Sequence, residues 1–422
     1  MNQYIHEATT IQIGSVFPFV ASKPLGIDKI LIGRDLLGGL FLHDPFELYK
    51  AGIITSPNMV LIGQIGRGKS SLVKTYLYRE AAFGRQIVVL DPKGEYGALA
   101  NALGAEPIYL YPGGPYRLNP LDMTSVGSAD GQDPDRHNPN KEAHLFKKRL
   151  ELMIAICSAC VQRTLKPIEY TALEYALASS SGRHTTVLLP HIIDELLYPL
   201  SDAYTQIGIK QEELVIGARD IALELRRLVY GELAGMFDGI TSPALKLNRN
   251  IFVLDLSALY ASPALGIMMA CAAAFIQSIY ADSTKKKTLL VVDEAWAVLQ
   301  NVGVARFLQA SWKLARSRGI ANIAVLHRIS DLETSGENQS VQSKISTGLL
   351  SDSETVICYA QPHQEVSLAA KSLGITSEEA ALLPNLRKGV GLWKVGSRTY
   401  LVEHKLTFRE KEIINTDQSL TN

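Results

Sequence analysis

Eight residues near the front of the chain, GQIGRGKS (Gly63–Ser70), have the spacing G-x-x-x-x-G-K-S. Glycines at those positions let successive backbone N–H groups turn inward around phosphate oxygens. A lysine next to them adds a point charge at the β- and γ-phosphates, and the following serine hydroxyl is a ligand for Mg²⁺. The pattern assigns Gly63, Gln64, Ile65, Gly66, Arg67, Gly68, Lys69, Ser70 and Ser71 to a phosphate loop, with Ser70 on the metal. A second stretch, LLVVDEAW (Leu289–Trp296), ends an apolar run in two acids. Asp293 would hold the metal through water, and Glu294 would orient and deprotonate the attacking water. Adjacent acids of this kind mark an ATPase more than a GTPase, and no NKxD guanine-recognition sequence is present. ATP and Mg²⁺ are the expected ligands. A third stretch, VVLDPKGEY (Val88–Tyr96), drops Asp91, Lys93 and Glu95 at the end of another strand. It reads either as a polar turn or as a site where Glu95 or Asp91 positions the water or senses the γ-phosphate.

These residues need a scaffold that brings strand ends together. MVLIG before the loop reads as a strand and SSLVKTYLYREAAF after it as a helix. Further short β-branched runs, NIFVLDLS, TLLVVDEA, IANIAVLH and TVICYAQ, are mostly separated by apolar helices, the alternation expected of a parallel sheet with ligands at its carboxyl edge. Residues 141–237 read as helical, with FKKRLELMIAICSACV, PIEYTALEYALASS and ELVIGARDIALELRRLV as the clearest pieces. VLLPHIIDELL reads as a further helix entered at a proline. GVGLWKVGSRTYLVEH predicts a β-hairpin turning at Gly396–Ser397. SVFPFVA and KILIGRD are strand-like pieces at the front, and REKEIINTDQSLTN is a polar tail. The expected organisation is therefore a β-rich segment over 1–54, a nucleotide-binding domain over 55–122 and 248–408, an all-α insertion over 123–247, and a tail over 409–422.

Composition narrows the function. The chain has 422 residues with 42 Lys plus Arg against 42 Asp plus Glu, so it does not coat nucleic acid through bulk charge. Lys285–Lys287 is a short basic run with no interleaved aromatic residues for base stacking. The four cysteines are too few and scattered for a disulfide framework. Cys157 and Cys160 form a CxxC inside LELMIAICSACV, which reads as a buried helix. The N-terminus shows no basic region followed by an apolar run, so no secretory signal is expected. The most apolar segment, Pro263–Ala281, lies between two strand runs and reads as a crossover helix rather than a membrane span.

GQIGRGKS, DPKGEY, RLNPLD (Arg117–Asp122), DEAW and the late ARSRG form an ordered set. Together they resemble the ATPases of type IV secretion and conjugation machines, within the HerA–FtsK superfamily of RecA-like motors. The resemblance runs from about Thr55 to His404. It implies an α/β fold: a RecA-like P-loop NTPase core with a mostly parallel central sheet, an all-α inserted domain and a C-terminal β-hairpin. It further implies a hexameric ring that can be monomeric when isolated, attachment to membrane-embedded secretion proteins at the inner face of the cell membrane, and DNA as an open partner. Two departures stand out. Little precedes the motor, where family members often carry a docking domain. His327 ends the strand IANIAVLH where the family usually has a γ-phosphate-sensing glutamine. A histidine there either donates to phosphate, making the response pH-dependent, or caps the strand end. The resemblance also places a trans-acting arginine in WKLARSRG, Arg316 ahead of Arg318, with a solvated face as the other reading. A DNA-pumping translocase and a nucleotide-gated scaffold with negligible hydrolysis are the competing functions.

Overall fold

The computed structural model describes residues 23–122, 139–200, 208–246, 249–262, 264–281, 286–299, 302–315, 317, 319–332 and 348–414. Eleven described strands make one sheet: β1 (Leu31–Asp35), β2 (Leu40–Leu42), β3 (Met59–Ile62), β4 (Gln86–Asp91), β5 (Ile108–Tyr109), β6 (Ile251–Asp255), β7 (Thr288–Val292), β8 (Ile320–Leu326), β9 (Thr355–Cys358), β10 (Val390–Val395) and β11 (Arg398–His404). Their order is β2-β1-β11-β10-β9-β3-β8-β7-β4-β6-β5. The strands from β9 to β5 run parallel, while β10, β11, β1 and β2 extend the sheet antiparallel. Strands β3, β4, β6, β7, β8 and β9 are buried throughout, which is why they read as continuous apolar runs. The hairpin turns where expected, with Gly396 in the left-handed region at φ +58°.

The two faces of the sheet carry separate cores. Met59, Leu61, Ile87 and Val89 face one side, packed with Leu72, Tyr76 and Leu77 of helix α1 (Lys69–Ala82). Val60, Ile62, Val88 and Leu90 face the other. That second core runs without a break into the inserted helices α2 (Pro139–Cys160), α3 (Pro167–Arg183), α4 (Leu189–Leu197) and α5 (Gln211–Arg227), through Met153, Leu173, Ile192 and Ile221. It also takes in α6 (Leu265–Ala281), the crossover between β6 and β7, and α7 (Val302–Ala315), which packs on α2. No described helix is long and apolar enough to cross a membrane. Cys157 and Cys160 are free thiols at the end of α2, and burial pushes both up, Cys160 to about 12.

LNPLD closes the base of the insertion. Asn119 is buried; its side-chain amide donates to the Val187 carbonyl at 2.9 Å, and its backbone N–H donates to the Thr241 hydroxyl at 3.0 Å. SVFPFVA lies outside the described residues. KILIGRD holds β1, which pairs with β11, so this piece extends the main sheet. The stretch read as a polar tail begins as helix α8 (Phe408–Ile414), which buries Ile413 and Glu410. Its anchor is ionic: Arg79 of α1 grips both carboxylate oxygens of Glu410 at 2.6 and 2.7 Å.

The last turn of α1 holds a buried acid. Arg85 bonds Asp44 at 2.8 Å and reaches Glu80 at 3.4 Å, so one guanidinium serves two carboxylates. Burial, and then the Asp44 charge, push Glu80 up to about 8. The folded chain thus keeps a proton that the unfolded chain releases near 4.5, so stability falls as pH rises from about 5 to 8. Glu80→Gln should flatten this slope by up to about 1.4 kcal/mol per pH unit in urea titrations. An unchanged slope would contradict the assignment.

Candidate active site

Strand register brings the chemistry to one edge. Ile62 pairs with Leu326, Val292 with Ala324, and Leu90 with Val292. The next residues of β3, β8, β7 and β4 are therefore neighbours: Gly63, His327, Asp293 with Glu294, and the turn Pro92–Tyr96.

The loop after β3 has the form its glycines predict. Gly66 and Gly68 adopt φ of +77° and +109°, and Gly68 caps α1. A Cβ on Gly63 would come within 2.5 Å of the Tyr359 Cβ, so that position tolerates no side chain. The Gly389 N–H donates to the Arg67 carbonyl at 3.0 Å, tying the loop to the entry of the hairpin. Lys69 is buried, and its ammonium donates to the carbonyls of Gly63 and Gln64, the latter at 3.1 Å. Ile65 is 80% exposed at the loop tip, and Ser70 and Ser71 are half-buried in the first turn of α1.

His327 links the loop lysine to the acid pair. Its Nδ1 lies 3.1 Å from the Lys69 Nζ, and its Nε2 lies 2.7 and 2.9 Å from the two carboxylate oxygens of Glu294. An ammonium only donates and a carboxylate only accepts, so Nδ1 accepts and Nε2 carries the proton. One neutral tautomer satisfies both ends. Glu294 adopts a left-handed backbone at φ +52°, a conformation that strains a residue with a side chain by about 1–3 kcal/mol. Its carboxylate also accepts from the Trp296 indole and the Lys93 ammonium. Burial pushes this acid up, but hydrogen bonds from His327, Lys93 and Trp296 outweigh it and hold the group at about 2.

Asp293 is the opposite case. Its Oδ1 accepts from the Glu294 N–H at 2.9 Å and its Oδ2 from the Tyr96 hydroxyl at 3.1 Å. Burial, and then the Glu294 charge, push it up to about 6. A buried acid raised by a neighbouring acid is relieved by a cation. Among the described residues no group of three or more His, Cys, Asp or Glu is arranged to hold a metal. Mg²⁺ fits such a site because it keeps several waters and is bound by one or two protein oxygens plus substrate phosphates.

In the DPKGEY turn, Asp91 accepts from the N–H groups of Lys93 at 3.2 Å and Tyr96 at 2.8 Å, so it holds the turn's shape. The Glu95 carboxylate lies 3.9 Å from the Lys74 Nζ of α1. Lys93 is the residue of this turn that lines the cleft beside the loop. The cleft has a volume of about 780 Å³, within the range of small-ligand sites. Its wall also includes Tyr260, Trp296, Arg328 and Lys388. Trp296 and Arg328 had a visible signal, lying two residues after Glu294 and one after His327; Lys388 had none, because only folding brings it to the loop. Arg316 and Arg318 lie outside the described residues.

Residues 50–349, well over half of the chain, match the family described as the AAA-like domain. The chain belongs to this family. Over 340 residues it is 23% identical to Protein TraC of Escherichia coli (strain K12), covering 78% of this chain and 35% of TraC, so it spans about a third of that relative's length. Among solved structures it resembles VirB4 of Thermoanaerobacter pseudethanolicus, with a TM-score of 0.70, 19% identity, and coverage of 91% of this chain and 98% of that one. It also resembles the plasmid coupling protein TrwB in complex with ADP and Mg²⁺, with a TM-score of 0.58, 12% identity, and coverage of 93% and 92%. TrwB in complex with the non-hydrolysable ATP analogue ADPNP gives 0.55, 14%, and 83% and 85%. These likenesses establish the fold, a P-loop NTPase core around a mostly parallel sheet, as the sequence led us to expect.

Proposed function

We propose that the chain is an ATP-hydrolysing motor of a conjugation or type IV secretion system, powering pore assembly or substrate transfer. The observation that carries this reading is the chain of contacts from Lys69 through His327 to Glu294. It joins the buried lysine of the GQIGRGKS loop to the Glu294 carboxylate through one histidine, and both Glu294 and His327 line the cleft. Likeness to TraC, VirB4 and TrwB supports the conjugation setting.

ATP is the substrate and Mg²⁺ the cofactor in this reading. The N–H groups of Gly63–Ser70 and the Lys69 ammonium receive the phosphates. Ser70 and Asp293 would hold the metal, which supplies charge neutralisation on the β- and γ-phosphates. Glu294 takes a proton from the attacking water, and the Trp296 indole fixes its orientation. His327 senses the γ-phosphate through Lys69, whose ammonium its Nδ1 accepts from. Glu95, beside Lys74, acts on the site electrostatically. Arg316 is assigned as the cation from the neighbouring subunit of a ring. Membrane-embedded secretion proteins are its partners at the inner face of the membrane.

The test is steady-state ATP hydrolysis against protein concentration, with mass from light scattering, with and without single- and double-stranded DNA. A rate per subunit that rises with assembly and ignores DNA supports the secretion motor. A rate that jumps on DNA alone would replace it with a translocase.

A further inference from the structure

We propose that Lys93 is the triphosphate-responsive positioning residue of this site: its ammonium sits on Glu294 and transfers to the γ-phosphate when ATP binds, releasing the acid. The inference rests on the ATPase reading and deepens it.

In the arrangement described, Glu294 cannot work as a base. His327, Trp296 and Lys93 all donate to its carboxylate. A water entering this site finds its acceptor oxygens already engaged. One of the donors has to leave before the acid can take a proton. Trp296 lies two residues away on the same segment, and its ring is packed against the core. His327 ends a fully buried strand. Lys93 differs from both. It rides on a flexible four-carbon stem, its side chain is 24% exposed, and it enters the cleft from a surface turn.

The turn itself is fixed, so the side chain alone would move. Asp91 accepts from two of the turn's N–H groups, and Gly94 adopts φ +71° close against the Asp255 carboxylate and the Ser257 side chain. Lys93 shares its cleft with Gln64, Gly66 and Arg67 of the phosphate loop. The Tyr260 ring, 5.9 Å from the ammonium, is a second soft contact within the same cleft. A terminal phosphate seated on the loop carries more negative charge than one carboxylate, so in a half-buried cleft the ammonium follows the stronger anion. ADP lacks that phosphate and leaves Lys93 on Glu294. Once freed, Glu294 accepts a proton from water as the water oxygen bonds to the γ-phosphorus and the bond to the ADP oxygen breaks. The same ammonium is thus a restraint before ATP binds and a phosphate ligand afterwards.

A purely structural Lys93–Glu294 pair would treat ADP and ATP alike, and this separates the two roles. The test measures the affinities of full-length protein for ADP and for ADPNP with Mg²⁺ by calorimetry, in wild type, Lys93→Met and Lys93→Arg. Lys93→Met should weaken ADPNP about ten-fold and leave ADP within two-fold, and Lys93→Arg should restore most of the ADPNP affinity. Glu294→Gln should tighten ADPNP in wild type, because the competing carboxylate is gone, and have no such effect in Lys93→Met. Equal shifts for both nucleotides, or no shift in either, would overturn the proposal. Wild-type protein that binds neither nucleotide would overturn the ATPase reading along with it, an outcome distinct from failed discrimination.

Discussion

Glu294→Gln should keep ATP bound and cut its hydrolysis by on the order of 10³-fold, the usual weight of a general base. The amide has nearly the shape of the acid, so the left-handed backbone at position 294 and the neighbouring Asp293 are preserved. What disappears is the function proposed for the carboxylate, acceptance of a proton. The amide oxygen can still receive the Trp296 indole, but it has no charge with which to hold Lys93. Single-turnover phosphate release, read beside equilibrium ATP binding, separates the two effects. Turnover comparable to wild type would mean that another group activates the water.

Lys69→Ala should weaken ATP binding roughly 100-fold, the cost of removing a charge-assisted contact to phosphate in a site with little water. No other described cation of the cleft is held where Lys69 is. The Lys69 ammonium is buried and aimed by the Gly63 and Gln64 carbonyls, whereas Arg67 and Lys388 stand on the rim. Its loss also takes a donor from those two carbonyls and from the Nδ1 of His327, so the connection from loop to acid pair is cut at its origin. Calorimetric titration with ATP and Mg²⁺ checks this. An affinity within three-fold of wild type would place the phosphates somewhere other than Gly63–Ser70.

Much of the fold could be read in the sequence because the chemistry sits at the ends of fully buried strands. Such strands announce themselves as apolar runs, and the glycine cluster, the acid pair and the histidine each follow one directly. The hairpin and the crossover helix α6 were legible for the same reason: each is bounded by turn residues or by strands. Elements whose burial depends on partners far along the chain were not. Strand β5 is two residues long and exists because β6 offers it an edge. Helix α8 buries only Glu410 and Ile413, and its main anchor is an arginine 331 positions earlier. The site shows the same division. The phosphate loop and the Asp293–Glu294 pair are local spacings. That Lys93 rather than Glu95 enters the cleft depends on Asp91 folding the turn back on itself, and no pattern of residue types along the chain records that.

The cleft should turn over ATP rather than merely hold it. Release of inorganic phosphate by the wild-type chain, in Mg²⁺ and again in EDTA, over a wide range of protein concentrations, decides between the two. The account predicts many turnovers per subunit with Mg²⁺ and none with EDTA. ATP bound at saturation with no phosphate released at any concentration would contradict it and leave the nucleotide-gated scaffold in its place.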